Sequence, residues 1–216
     1  MSSLWPLCDS YNVMTIERGG NRHGNAEALA LDECVGVATV LSRRENFDRR
    51  HRCLVNISAS DRAFLARAVD LATDAVRTGN DPFGSLLVSD SGEVLAEDRN
   101  RVGDLNDPTQ HPEIALSRWA ATNLDADQRR SSTVYTSGEH CVMCAASHGI
   151  VGLGRIVYAT STAQLLTWLE EFGAAPLAIT ASSIEQIVPG IVVDGPVSEF
   201  GDTVRELHRQ RHASAR

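Results

Sequence analysis

The chain has 216 residues with 20 basic against 28 acidic side chains, a net charge of −8 and 43% hydrophobic residues. That is enough for one full core, and too acidic for a surface that holds nucleic-acid phosphates or anionic lipid. Every basic residue is arginine, which excludes a Schiff-base lysine and a P-loop lysine by inventory. No run nears the roughly 20 apolar residues of a bilayer span, and the first residues lack the basic-then-apolar order of a secretory signal, so a cytoplasmic protein is expected.

Residues 1–54 hold seven Arg and seven acids, scattered Gly and Asn, and little periodicity. They read as a poorly ordered N-terminal extension, with the whole charge imbalance on the domain at 55–216. Ser60 and Asp61 precede an apolar pattern at Phe64, Ala68, Leu71, Ala72 and Ala75, which predicts a capped amphipathic helix ending at Gly79. Leu86–Val88 and Val94–Ala96, joined by Asp90-Ser91-Gly92, read as a β-hairpin. Asp107-Pro108-Thr109 reads as a helix start, with Ile114, Leu116, Trp119, Ala120 and Leu124 as the apolar stripe. A strand at 133–136, a helix at 141–149 and a strand at 155–159 give a β-α-β unit. A helix at 163–172, a strand-like stretch at 186–193 broken by Pro189-Gly190, and a closing helix at 199–211 follow. Alternating strands and helices after a hairpin predict an α/β layered sandwich on a mixed sheet.

Of the five cysteines, Cys8, Cys34 and Cys53 are scattered, and only Cys141 and Cys144 lie close together. An odd, sparse set does not build a disulfide framework. Cys141-Val142-Met143-Cys144 follows a strand and opens a helix, where backbone N–H groups favour thiolate. Thirty residues earlier, His111-Pro112-Glu113 stands at another helix start. Two thiolates and one imidazole are the donors zinc prefers, and three ligands leave a position open for water, whose pKa zinc can lower to about 7. Glu113 is close enough to move that water's proton without being a ligand. Cys-x-x-Cys alone would equally suit a redox pair or half of a structural zinc knuckle; His-x-Glu beside it matches the known signature of zinc nucleobase deaminases.

On these motifs, with Asp81-Pro82-Phe83-Gly84, Asn100, Asp107–Glu113 and Thr136–Cys144 in order, the chain resembles the cytidine and deoxycytidylate deaminase superfamily over residues 58–195. Within it, the chain resembles the branch of guanine, cytosine and tRNA adenosine deaminases. The resemblance implies a three-layer α/β/α sandwich with a mixed five-stranded sheet, one Zn²⁺ per subunit and a homodimer. It also implies hydrolytic release of ammonia from a small aminated heterocycle, either a free nucleobase or a nucleoside. It casts His111, Cys141 and Cys144 as metal ligands, Glu113 as the catalytic proton carrier, Asn100 as the pocket amide and Phe83 as the apolar wall. His140, where the family usually has proline, is expected at the pocket edge as a substrate contact. Two other readings stand beside this one: a tRNA adenosine deaminase, which calls for a basic pocket mouth, and a non-catalytic zinc-stabilised interaction module, in which Glu113 has no work to do.

Overall fold

The structure, a computed structural model, describes residues 57–213, so the expected extension at 1–54 lies outside the described residues. Helix α1 (Ala59–Arg77) is followed by strands β1 (Gly84–Val88) and β2 (Val94–Arg99), then helices α2 (Val102–Leu105), α3 (Pro112–Asn123) and α4 (Ala126–Ser131). Strand β3 (Thr133–Gly138), helix α5 (Val142–Val151), strand β4 (Arg155–Thr160) and helix α6 (Thr162–Glu171) come next. Helix α7 (Ile184–Ile187), strand β5 (Val193–Asp194) and helix α8 (Gly201–Ala213) close the fold.

The five strands form one mixed sheet in the order β2-β1-β3-β4-β5. β1 is antiparallel to β2 and β3, while β3, β4 and β5 run parallel. A hairpin suffices for the first pairing, whereas parallel neighbours need crossovers, which α5 and the α6–α7 stretch supply. The central strands are buried almost throughout because both faces are covered. Leu86, Val88, Tyr135, Val157 and Ala159 face α1, α6 and α8, where they meet Leu65, Ala72, Trp168 and Val204. Their alternates Leu87 and Val134 face Leu116 and Ala120 of α3, and Ile156 and Tyr158 meet Ala145 of α5 and Ile184 of α7. The expected α/β/α sandwich on a mixed five-stranded sheet is the fold observed.

Three local readings differ from the structure. The first helix is capped by Ser58, not Ser60: Ser58 Oγ accepts the N–H of Asp61 at 3.0 Å, and Asp61 Oδ2 accepts the N–H of Ser58 at 2.9 Å. The second long helix begins at Pro112, after the turn signal Asp107-Pro108-Thr109. Asp107 Oδ1 accepts the Thr109 N–H at 2.9 Å and its hydroxyl at 2.8 Å, and Oδ2 accepts Gln110 Nε2 at 2.7 Å. Asp caps a turn by the same hydrogen bonds with which it caps a helix. The stretch at 186–193 divides at Pro189-Gly190 into the end of α7 and the approach to the two-residue β5, so most of it pairs with no strand. Gly84 is the point where sheet and helix touch: a Cβ there would lie 2.4 Å from Leu71 Cβ and 2.5 Å from the Ala68 carbonyl oxygen.

Candidate metal and catalytic site

Two helix starts converge above the sheet. His111 is the N-cap residue of α3, with Pro112 and Glu113 in its first turn. Pro112 fits there because that position needs no N–H donor. Cys141 is the N-cap residue of α5, and Cys144 lies three residues on, one turn above it. His111 Nδ1 is 3.7 Å from Cys141 Sγ and 3.4 Å from Cys144 Sγ, and the two sulfurs are 3.5 Å apart. A tetrahedral zinc with ordinary Zn–S and Zn–N bond lengths places its ligands about 3.8 Å (S···S) and about 3.6 Å (S···N) apart. The three donors therefore fit that ion in type, number and spacing.

The two thiols are shifted in opposite directions. Hydrogen bonding between the Cys141 and Cys144 sulfurs, supported by His111 and the Cys144 backbone N–H, outweighs burial and pulls Cys141 down to about 4. Cys144 is pushed up by that shared hydrogen bond, by burial and by the adjacent Glu113 carboxylate. The His111 imidazole is raised by its hydrogen bond with Cys141, against the effect of burial.

Glu113 is buried beneath this cluster at 5% exposure. Its Oε2 accepts the Cys144 thiol at 3.4 Å, and its Oε1 accepts Ser85 Oγ at 2.8 Å and Thr136 Oγ1 at 3.0 Å. Burial favours the neutral acid, but the imidazoles of His140 and His111 and the Ser85 hydroxyl outweigh it and hold the carboxyl below its usual range. Glu113 is thus a carboxylate at neutral pH.

Glu113, His111 and Cys141 form the floor of a cavity of about 160 Å³. That volume lies below the ~300–1,000 Å³ typical of sites for drug-sized ligands. Phe83 forms one wall and packs edge-on against His208 of α8, with ring centroids 5.3 Å apart. Residues 177–182 form the outer wall.

The other two predicted substrate contacts are placed differently. Asn100 is buried and outside this cavity's lining; its Oδ1 accepts the Val102 N–H at 3.1 Å, and its backbone N–H donates to the Phe83 carbonyl at 2.9 Å. It thus buttresses the wall residue. His140 also lies outside the lining, at 1% exposure and edge-on to His148 with centroids 5.4 Å apart, and burial lowers it to about 4. It is packed behind the cluster. Three features escaped the sequence reading: the hydroxyls of Ser85 and Thr136, the outer wall at 177–182, and Glu139. Glu139 lines the cavity while its Oε2 accepts the Thr162 N–H at 2.8 Å at the start of α6.

This fold and donor set are those of one family. The profile of the cytidine and deoxycytidylate deaminase zinc-binding region matches residues 58–160, and the chain is 31% identical over 121 residues to a probable cytosine deaminase of Schizosaccharomyces pombe, covering 56% of this chain and 72% of that protein. The chain belongs to the cytidine and deoxycytidylate deaminase family. It is also 45% identical over 82 residues to a guanine deaminase of Bacillus subtilis, covering 38% of this chain and 52% of the relative. With a tRNA-specific adenosine deaminase of Agrobacterium fabrum it shares 36% identity over 95 residues, 44% of this chain and 62% of the relative. The chain thus spans between about half and three-quarters of the length of these relatives. Among solved structures, a guanine deaminase from Nitrosomonas europaea superposes with a TM-score of 0.56 at 20% identity, over 74% of this chain and 87% of that one, and shares the fold.

Proposed function

We propose that the protein is a zinc-dependent hydrolytic deaminase that releases ammonia from the exocyclic amine of a free nucleobase or nucleoside, with a guanine- or cytosine-like ring. The observation that carries this reading is the Glu113 carboxyl, buried and held at Oε1, with Oε2 turned to a cluster of three metal-type donors at the floor of a small cavity. A purely structural metal gains nothing from a buried carboxylate that is not a ligand and costs stability to desolvate.

His111, Cys141 and Cys144 would hold the ion, and zinc in such a site supplies Lewis acidity that activates water near neutral pH. The chain's own groups do the rest. The Phe83 wall and the outer segment keep bulk water from the ring, which strengthens every charge interaction inside. Glu113 takes a proton at Oε2 and returns it to the departing amine, so one group acts first as base and then as acid. Among the described residues the cavity lining contains no arginine, and residues 55–216 carry 13 Arg against 21 acids, which favours a small neutral substrate over an RNA backbone.

The test is ammonia release by zinc-loaded protein from cytosine, guanine, adenine, their nucleosides and an adenosine-bearing tRNA anticodon stem, with Glu113→Gln as the blank. Release from one base or nucleoside, lost by ~10²–10⁴-fold in the variant at unchanged zinc content, is expected. Release from the tRNA stem alone would replace the small-molecule substrate. Equal rates in wild type and variant would refute the role of Glu113, and inertness toward the whole panel would favour the interaction module.

A further inference from the structure

Ser85 and Thr136 sit on neighbouring strands as a matched pair: β1 and β3 are antiparallel and their register places the two residues opposite each other. Both are fully buried at 0% exposure, on the sheet face that carries Leu87 and Val134 against α3. That face is otherwise packed mostly with apolar side chains, and hydroxyls buried there are costly unless they are hydrogen-bonded. Their common acceptor is Glu113 Oε1, at 2.8 Å from Ser85 Oγ and 3.0 Å from Thr136 Oγ1. The two hydroxyl oxygens are 2.9 Å apart, and Thr136 Oγ1 also lies 3.0 Å from the Gly138 carbonyl oxygen.

Each hydroxyl has one hydrogen to give. Ser85 can donate to Glu113 or to Thr136, and Thr136 to Glu113 or to Gly138, so every arrangement that satisfies Oε1 uses at least one of the two. We propose that Ser85 and Thr136 are positioning residues for Glu113: their hydroxyls hold Oε1 against the sheet so that Oε2, on the metal-cluster side, is the oxygen that takes up and returns the proton. The clamp explains why two hydroxyls occupy a mostly apolar face at this point. It also keeps the carboxylate plane fixed as the proton comes and goes, because Oε1 remains an acceptor in both states while the hydroxyls stay donors. Neither residue touches the cavity, so both act only through Glu113.

The role of the clamp in turnover rests on the deaminase reading; its geometric part does not. Thr136→Val removes the hydroxyl at constant shape, Ser85→Ala removes the other, and Thr136→Ser keeps the donor. Two readouts are taken on zinc-loaded protein: steady-state kinetics with the best substrate of the panel, and the Glu113 carboxylate position in crystals of wild type and variants. The double variant Ser85→Ala/Thr136→Val is expected to lose kcat by about 10–100-fold with KM within about twofold and zinc content unchanged, each single variant to lose less, and Thr136→Ser to keep wild-type kcat. The crystals are expected to show the carboxylate rotated or split between positions in the double variant alone. An unchanged kcat with an unmoved carboxylate would overturn the proposal, as would a loss confined to KM. If the double variant does not fold, the isosteric Thr136→Val decides by the same two readouts. If wild type turns over nothing, the deaminase reading fails, and the carboxylate position still decides whether the hydroxyls hold Glu113.

Discussion

Replacing Asp61 with asparagine should weaken the fold at neutral pH, and by about 2 kcal/mol less near pH 2. Asp61 is buried at the start of α1 and holds that helix to the sheet. Its Oδ1 accepts the Tyr135 hydroxyl of β3 at 2.7 Å and Arg155 Nη1 of β4 at 2.8 Å, and its Oδ2 accepts Ser58 N–H at 2.9 Å and Ser58 Oγ at 2.7 Å. Arg155 continues the chain of charges to Asp194 of β5 at 2.7 Å. Burial pushes the Asp61 carboxyl up, but the hydrogen bonds from Ser58, Tyr135 and Arg155 prevail and take it from 3.8 to about 2. That depression corresponds to about 2 kcal/mol of stability. Because the folded-state value lies below the unfolded one, the contribution is complete above about pH 4 and disappears as the pH falls toward 2. Asparagine keeps one acceptor and turns an NH₂ toward groups that only donate on at least one side, at a cost of about 2–4 kcal/mol. Urea denaturation of both proteins at half-unit steps from pH 2 to 7, with the metal state held constant, measures this. The gap between the two stability curves should be widest and flat above about pH 4.5 and close by about 2 kcal/mol toward pH 2. Parallel curves would refute the electrostatic account and leave Asp61 as a packing residue.

Cys144→Ala removes a donor from the cluster, and zinc per chain, read by atomic emission after dialysis, should fall from near one to well below half; unchanged stoichiometry would count against the ligand assignment. Gly84→Ala forces a methyl group into the backbone of α1, 2.5 Å from the Ala68 carbonyl oxygen and 2.6 Å from the Ala72 nitrogen. It should cost about 3 kcal/mol, or about 6–12 °C in Tm, whereas a change under about 2 °C would show that helix and sheet separate freely. Phe83→Ala opens the cavity wall and should raise KM about tenfold or more with a smaller effect on kcat. The reverse split would place Phe83 in the chemistry and not in binding.

The three-donor cluster could be read from the sequence because its geometry is local. His111 and Glu113 occupy one helix start, Cys141 and Cys144 another, and the residue types suggest a metal without any knowledge of the sheet. The layers were legible for a similar reason, since strand and helix periods are written over a few residues each. What the sequence did not disclose depends on distant pairings. Ser85 and Thr136 are 51 positions apart and look like ordinary strand residues until the β1–β3 register sets them opposite each other. The fate of His140 is of the same kind: its place beside Cys141 suggests a pocket edge, but helix packing turns it inward against His148. The Asp107 turn shows the limit of a local signal, because one side chain closes a turn and caps a helix with the same two oxygens.

The outer wall of the cavity belongs to a different kind of structure from its floor. The donors and Glu113 are seated on helix starts backed by the buried sheet, while residues 177–182 lie in the irregular stretch between α6 and α7, with Leu177 and Ile179 partly in solvent. Irregular surface stretches accept substitution, insertion and deletion far more readily than a packed layer does. On the deaminase reading, floor and outer wall can therefore change independently: rewriting the dozen residues between α6 and α7 would alter which ring is accepted while Glu113 and the three donors keep their places, which makes the segment a natural target for laboratory evolution of new specificities.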